Sequence, residues 1–266
     1  MNALRLYARY VGLSWRAQLQ YRASFALQTL GTALLSVVDF LAIWVLFDRF
    51  KRIAGWSLAE VAVFYGTANI AWSLAEGIGR GFDDFGSVVK RGDFDRLLLR
   101  PRSTVLQLLG REFTLRRIGR IGQGAAVLAW GWRSLGLGWD AARLGLWLLA
   151  VAGGVALFEG ILILQATLAF WTIESLEVMN TLTYGGVQTV QYPLAIYPGW
   201  LRRFFLLVVP LGCVAYFPVV RLLGRTDPLG APAWLGWAGP FAGFLFLGVA
   251  LRAWRFGIRH YTSTGS

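Results

Sequence analysis

Gly81–Pro101, GFDDFGSVVKRGDFDRLLLRP, decides how the rest of the chain folds. It carries Asp83, Asp84, Lys90, Arg91, Asp93, Asp95, Arg96 and Arg100 between two long apolar runs. That many charges cannot lie in hydrocarbon, so the segment must stand in water. Phe82, Phe85 and Val88 or Val89 recur at helical spacing, Gly92-Asp93 breaks the pattern, and Phe94, Leu97 and Leu98 begin a second stripe that Pro101 stops. This is the pattern of an exposed helix-turn-helix whose aromatic face can meet a soluble partner. The same spacing also fits a solvated loop whose apolar side packs on its own protein.

Composition places the surroundings of this connector in a membrane. Of 266 residues, 56% are hydrophobic and only 15% charged, and the mean hydropathy is +0.54. The formal net charge of +12 fits arginine-rich cytoplasmic loops beside anionic headgroups better than a nucleic-acid module, which would need a basic soluble domain. One cysteine, Cys213, allows no internal disulfide and no cysteine-based metal site, and the one histidine, His260, reads as an interfacial side chain.

Outward from the connector, the chain reads as a single all-α transmembrane domain over 1–266. Residues 1–24 hold Arg5, Arg9, Arg16 and Arg22 and no acid, with Leu4, Val11, Trp15 and Leu19 at helical spacing. This is an amphipathic helix suited to the headgroup layer and not a cleavable signal. Six apolar spans are expected at 25–47, 58–79, 118–132, 144–171, 178–195 and 234–254, with a cytosolic coupling region at 80–117. Thr104 to Arg120 reads as one helix bearing Arg111, Arg116, Arg117 and Arg120. Six of the eight prolines fall between Pro193 and Pro232. Pro210 and Pro218 interrupt the apolar run from Phe204 to Val220, so 196–233 is expected to dip in and return as a re-entrant hairpin. With both termini and the connector inside, the inner segments hold 17 Lys and Arg and the outer ones 9, the bias expected of cytoplasmic loops. A full crossing at Phe204 to Val220 would put one basic terminus outside.

No phosphate-cradling loop is present, since neither Lys51 nor Lys90 follows a glycine-rich run, and this chain is not expected to hydrolyse ATP alone. Hydrolase elbows and zinc-binding histidine pairs are missing as well. A carboxylate at mid-bilayer costs about 2.5–3.5 kcal/mol. Asp39 and Glu159 are therefore expected to face the bundle interior, a partner subunit or a water-filled path. Asn180, Tyr184, Gln188 and Gln191 stand four, four and three residues apart along one face of span five. That face could line a translocation path or hydrogen-bond neighbouring helices. The 13 tryptophans read mostly as belt residues at the membrane surfaces.

Gly92-Asp93-Phe94-Asp95-Arg96-Leu97-Leu98-Leu99-Arg100-Pro101 after span two, with Tyr192-Pro193, Tyr197-Pro198 and Tyr216-Phe217-Pro218 after span five, resembles a permease of the ABC transporter type-2 exporter class. More closely it resembles the compact bacterial permeases that share this connector. The resemblance implies an inner-membrane, multi-pass subunit with both termini cytoplasmic, six spans, an amphipathic interface helix, a cytosolic coupling helix and a re-entrant hairpin. It implies a homo- or heterodimer with a second permease subunit. Two separate ATP-binding cassette ATPase subunits would dock on the coupling helices and hold the ATP and Mg, so this chain itself takes no cofactor and no nucleic acid. Carried over by position, the ATPase-coupling residues would be Phe82, Asp83, Phe85, Lys90, Gly92, Asp93 and Phe94. The translocation path would involve Asn180, Tyr184, Gln188, Gln191, Asp39 and Glu159, and the outer gate Tyr192, Pro193, Tyr197 and Pro198. Nothing in the resemblance names a cargo.

A gradient-driven secondary transporter or channel is the alternative that Asp39 and Glu159 would suit. Such carriers show paired internal repeats with broken helices in both halves, and only one half is broken here. A membrane scaffold is a third reading, against which the polar face of span five argues.

Overall fold

A computed structural model describes residues 3–114, 117–138, 140–172 and 176–262, without the side chains of 3–4 and 176–182. The described chain is almost wholly helical. Helix α1 (Ala3–Gln20) leads through a break at Tyr21 into α2 (Arg22–Phe50). A two-residue hairpin follows, β1 (Arg52–Ile53) paired antiparallel with β2 (Trp56–Ser57). Its turn residues Ala54 and Gly55 both have positive φ, as a tight hairpin with the native strand twist requires. Helix α3 (Leu58–Ile78) starts on a capping box. The Ser57 hydroxyl accepts from the Glu60 amide, and the Ser57 amide donates to the Glu60 carboxylate at 2.8 Å.

The connector folds as four short helices: α4 (Arg80–Asp83), α5 (Phe85–Lys90), α6 (Asp93–Leu98) and α7 (Thr104–Leu109). Longer elements resume with α8 (Ile118–Ser134), α9 (Ala141–Leu168) and α10 (Leu176–Val190). A 3₁₀ turn at Leu194–Ile196 leads to α11 (Gly199–Arg203). Two π-helical turns, Phe204–Val208 and Gly212–Tyr216, precede α12 (Phe217–Leu222), α13 (Leu235–Ala238) and α14 (Phe241–Arg259).

Helix α3 is the axis. It is apolar all round and buried along most of its length, with α8 against one side and α9 against another. Small residues let these helices approach closely: a Cβ on Gly66 would stand 2.6 Å from the Gly124 carbonyl oxygen of α8. The crossing of α9 and α14 is tighter still, because a Cβ on Gly243 would stand 2.0 Å from the Gly153 carbonyl. Helix α2, by contrast, fully buries only Ser36, Ile43 and Phe47, packs Thr29, Ala33 and Phe40 toward α8 and α3, and leaves most of its other residues exposed.

Arg22–Phe50, Ala141–Leu168 and Leu235–Arg259 are each long and apolar enough to cross a membrane. A fourth candidate is the pair Gly199–Val208 and Gly212–Leu222, bent by 89° at its break. The bend falls at Pro210, and Val209 before it is extended (φ −118°, ψ 95°), as a residue preceding proline tends to be. Pro218 does not add the second interruption expected of it. It lies in the first turn of α12, directly after the π-helical turn Gly212–Tyr216, and Gly212–Leu222 continues as one piece through it. The single helix expected over Thr104 to Arg120 is also not formed. The chain leaves α7 at Gly110, and the Thr114 amide donates instead to the Gly77 carbonyl at 3.2 Å. That detour brings Arg117 and Arg120 to Glu76.

Two substitutions on α14 test the packing. Gly243→Leu should lower the stability of the purified protein by about 1–3 kcal/mol, as overpacking does. Gly248→Leu, where a Cβ would meet nothing within 4 Å, should leave the melting temperature close to that of the parent.

Candidate functional site

Connector residues divide by face. Phe82, Phe85 and Phe94, expected to meet a soluble ATPase, are instead 1%, 0% and 0% exposed. Together with Phe170 at the end of α9, Trp254 on α14 and Tyr261 beyond it, they form a knot of six rings. Phe85 lies 5.0 Å from Trp254, 5.1 Å from Phe94 and 5.2 Å from Phe170 between ring centroids. Phe82 stands 5.2 Å from Trp254, and Phe94 5.0 Å from Tyr261. Most of these pairs meet edge to face, the arrangement aromatic quadrupoles favour. The Trp254 indole also donates to the Thr104 hydroxyl of α7 at 3.0 Å. The apolar stripes of the connector therefore cover its own protein, because an apolar face of this size gains more from burial than from water. They bind it to the ends of α9 and α14.

The opposite face is charged and open. Asp84, Lys90, Arg91 and Arg96 are exposed. Asp83 pairs with Arg80, while Asp93 is shared by Arg91 at 3.3 Å and Arg111 at 3.6 Å. Gly92 turns the chain between α5 and α6 at φ 68°, a left-handed conformation costly for a residue with a Cβ. Behind the connector, the buried Glu76 carboxylate of α3 is bound by Arg117, with Arg120 at 3.6 Å. Helix α1 is tied to the same region. The Gln18 amide donates to the Phe113 carbonyl, and Tyr10 packs flat on Gly110.

The expected path residues do not form one surface. Tyr184 and Gln188 of α10 are exposed, with Tyr184 5.6 Å from the Trp72 ring. Gln191, just past the helix end, is buried, and the side chain of Asn180 lies outside the described residues. Asp39 of α2 is exposed among Leu34, Leu35 and Val38, and it is near enough to Tyr65 and Tyr192 for its charge to act on both. Glu159 is elsewhere. It is 7% exposed, neither carboxyl oxygen has a hydrogen-bond partner among the described residues, and it fills the space that a side chain at Gly79 would need. Tyr7 of α1 lies close by. Burial, and secondarily the Glu159 carboxyl, hold its phenol above the usual range.

Of the gate residues, Tyr192 and Pro193 lie just past the end of α10 and lead into the 3₁₀ turn at Leu194–Ile196, and Pro198 opens α11. The Tyr197 hydroxyl donates to the Thr189 carbonyl at 3.2 Å. At the hairpin end of α3, Arg225 makes contacts that the sequence did not announce. It pairs with Glu60 at 2.9 Å, lies 4.3 Å over the Trp56 ring and donates to the Gly55 carbonyl. Asp227 nearby accepts from the Tyr216 hydroxyl at 2.6 Å and from two loop amides. A separation of 165 residues between Arg225 and Glu60 hides this clamp from any local pattern. Trp254, Phe170 and Tyr261 were missed as partners of the connector. All three sit at or beyond the ends of spans expected to finish on its side of the membrane, which was the available signal. Belt placement does not hold for Trp56, Trp72, Trp132 and Trp254, which are fully buried.

The fold and the connector define a multi-pass helical membrane protein with a folded polar segment between its spans. The family model described as ABC-2 family transporter protein matches residues 33–265, and the chain belongs to that family. Neither a curated protein nor a solved structure matches it. Family membership makes this chain a permease component of an ABC transporter and implies partnership with an ATP-binding subunit.

Removing one ring tests whether the knot holds the connector. Phe85→Ala should cost about 3–5 kcal/mol. Hydrogen exchange should accelerate across residues 80–109 while the middle of α3 stays protected. Uniform acceleration, or none, would contradict the local role.

Proposed function

We propose that this chain is the membrane-spanning subunit of an ATP-driven exporter, working as a dimer and moved by separate ATPases that dock on the connector. The observation that carries the reading is the two-sidedness of that connector. One face is bound by six rings to the ends of α9 and α14, and the other offers Asp84, Lys90 and Arg91 to water. Force applied to the charged face passes to two membrane helices without crossing a flexible joint. Within this scheme Asp83, Gly92 and Asp93 shape the docking face through an ion pair, a turn and a shared carboxylate. Phe82, Phe85 and Phe94 transmit the load and do not touch the ATPase. ATP and Mg belong to the partner.

Six crossings are proposed for α2, α3, α8, α9, α10 and α13 with α14, and the bent segment 199–222 is proposed to enter and return. The excess of Lys and Arg on the connector side supports a cytoplasmic location for it and for both termini, in a bacterial inner membrane. The exposed surface of α2 and α10, bearing Asp39, Tyr184 and Gln188, is proposed to face the second subunit and line the path, with Tyr192 to Pro198 at its outer end. Glu159 is left out of that path, since it is enclosed. The case for a gradient-driven carrier therefore loses one of its two carboxylates.

Lys90→Glu combined with Arg91→Glu should weaken co-purification of the ATPase by roughly tenfold, with the permease still folded in the membrane. Undiminished recovery would remove the docking assignment. Gln188→Leu or Asp39→Asn should instead leave ATPase recovery unchanged and lower the transport-coupled ATP turnover of the assembled complex. Unchanged turnover in both variants would mean that this face only packs.

A further inference from the structure

Between α1 and the connector lies a cavity of about 350 Å³ whose wall includes Tyr10, Asp93, Arg96, Arg100, Gln107 and Arg111. Three guanidinium groups face one carboxylate. That carboxylate, Asp93, is already shared by Arg91 and Arg111. Arg96 and Arg100 have no ion-pair partner among the described residues. Arg96 and Arg100 are exposed, and the walls that carry them are held from behind. The Gln107 amide is 5% exposed, and its nitrogen donates to the Leu97 carbonyl at 3.0 Å and the Arg102 carbonyl at 3.1 Å. This clamps the turn that carries Arg100. Tyr10, packed on Gly110, fixes the opposite wall. Three arginines on one cavity wall, two of them without an ion-pair partner among the described residues, supply the forked donors that a phosphate group takes.

We infer that this cavity binds a phosphate ester anion, supplied by the headgroup of an anionic membrane phospholipid. Helix α1 identifies the source. It exposes Arg5, Arg9 and Arg16 and also Leu13, Trp15 and Leu19, an apolar surface that acyl chains can cover while a headgroup reaches the arginines. A lipid held there joins α1 to α6 and α7, so the annulus around the permease becomes part of the connector's support. The inference rests on the headgroup-layer placement expected of residues 1–24 from their sequence and not on ATPase docking.

The test uses delipidated full-length permease without ATPase, in nanodiscs of phosphatidylcholine doped with phosphatidylglycerol, and reads lipid retained per chain by native mass spectrometry. The parent should retain phosphatidylglycerol over phosphatidylcholine. Arg96→Gln with Arg100→Gln should weaken that retention by roughly thirtyfold. Both positions are solvent-exposed, so the variant should keep its melting temperature. The corresponding pair of lysines, which keep the charge but lose the fork, should recover only part of the binding. Inorganic phosphate at millimolar concentration should fail to displace the lipid. Displacement by phosphate would keep the site and assign it to a soluble phosphate ester, against the lipid source. Equal retention by parent and glutamine variant, or no preference between the two lipids, would overturn the inference.

Discussion

The packing of Phe85 against Trp254 is the contact on which the rest of the structure depends. Without it the connector would be four short helices of four to six residues each, none long enough to stand alone in water. With it, each short helix places one aromatic ring or one hydrogen bond on a common centre: Phe82 from α4, Phe85 from α5, Phe94 from α6 and Thr104 from α7. A polar segment flanked by membrane helices thereby gains a core of its own. That core is continuous with the ends of α9 and α14, and α9 is in turn packed on α3 and α14. A soluble element gripped in this way can act as a handle on the membrane bundle.

Burial is unevenly shared across the bundle, and the unevenness carries functional meaning. Helix α3 is enclosed, while α2 and the outer face of α10 are open and place Asp39, Tyr184 and Gln188 on an otherwise apolar exterior. A carboxylate turned toward hydrocarbon is costly. A second subunit, with water between the two, would give Asp39 a better environment. At the hairpin end, Arg225 joins α3 to the loop after α12, so the bundle is tied at the hairpin end by one arginine and at the connector end by rings and by Glu76.

Much of this was legible in the sequence, and what was not has physical causes. Run length and charge locate the apolar helices, because a helix buried in protein or lipid cannot hide its composition. Gly92 and Pro101 punctuate the connector at the positions where the chain turns. Periodicity shows that Phe82, Phe85 and Phe94 share an apolar character, but it does not say what covers them. The answer lies in Phe170, Trp254 and Tyr261, at least 76 residues further along the chain. Spacing likewise places Tyr184, Gln188 and Gln191 on one face, yet the chain beyond Val190 folds back and covers the last of them. Asp39 and Glu159 looked alike as lone acids in apolar runs. Only packing separates the exposed one from the enclosed one. Proline position mattered more than proline count, since Pro210 bends the chain and Pro218 does not.

The central claim is that the connector and the end of α14 move as one body when the ATPase acts. The most direct measurement is a spin-label distance between Leu99→Cys, on the connector but outside the proposed docking face, and Arg259→Cys in a Cys213→Ser background. Labelled chains would be diluted with unlabelled ones, so that only distances within one subunit are read, with the ATPase bound and with nucleotide absent or present. The account predicts one narrow distribution that nucleotide does not shift. A second population appearing with ATP would show that the connector slides over its rings, and would contradict the account.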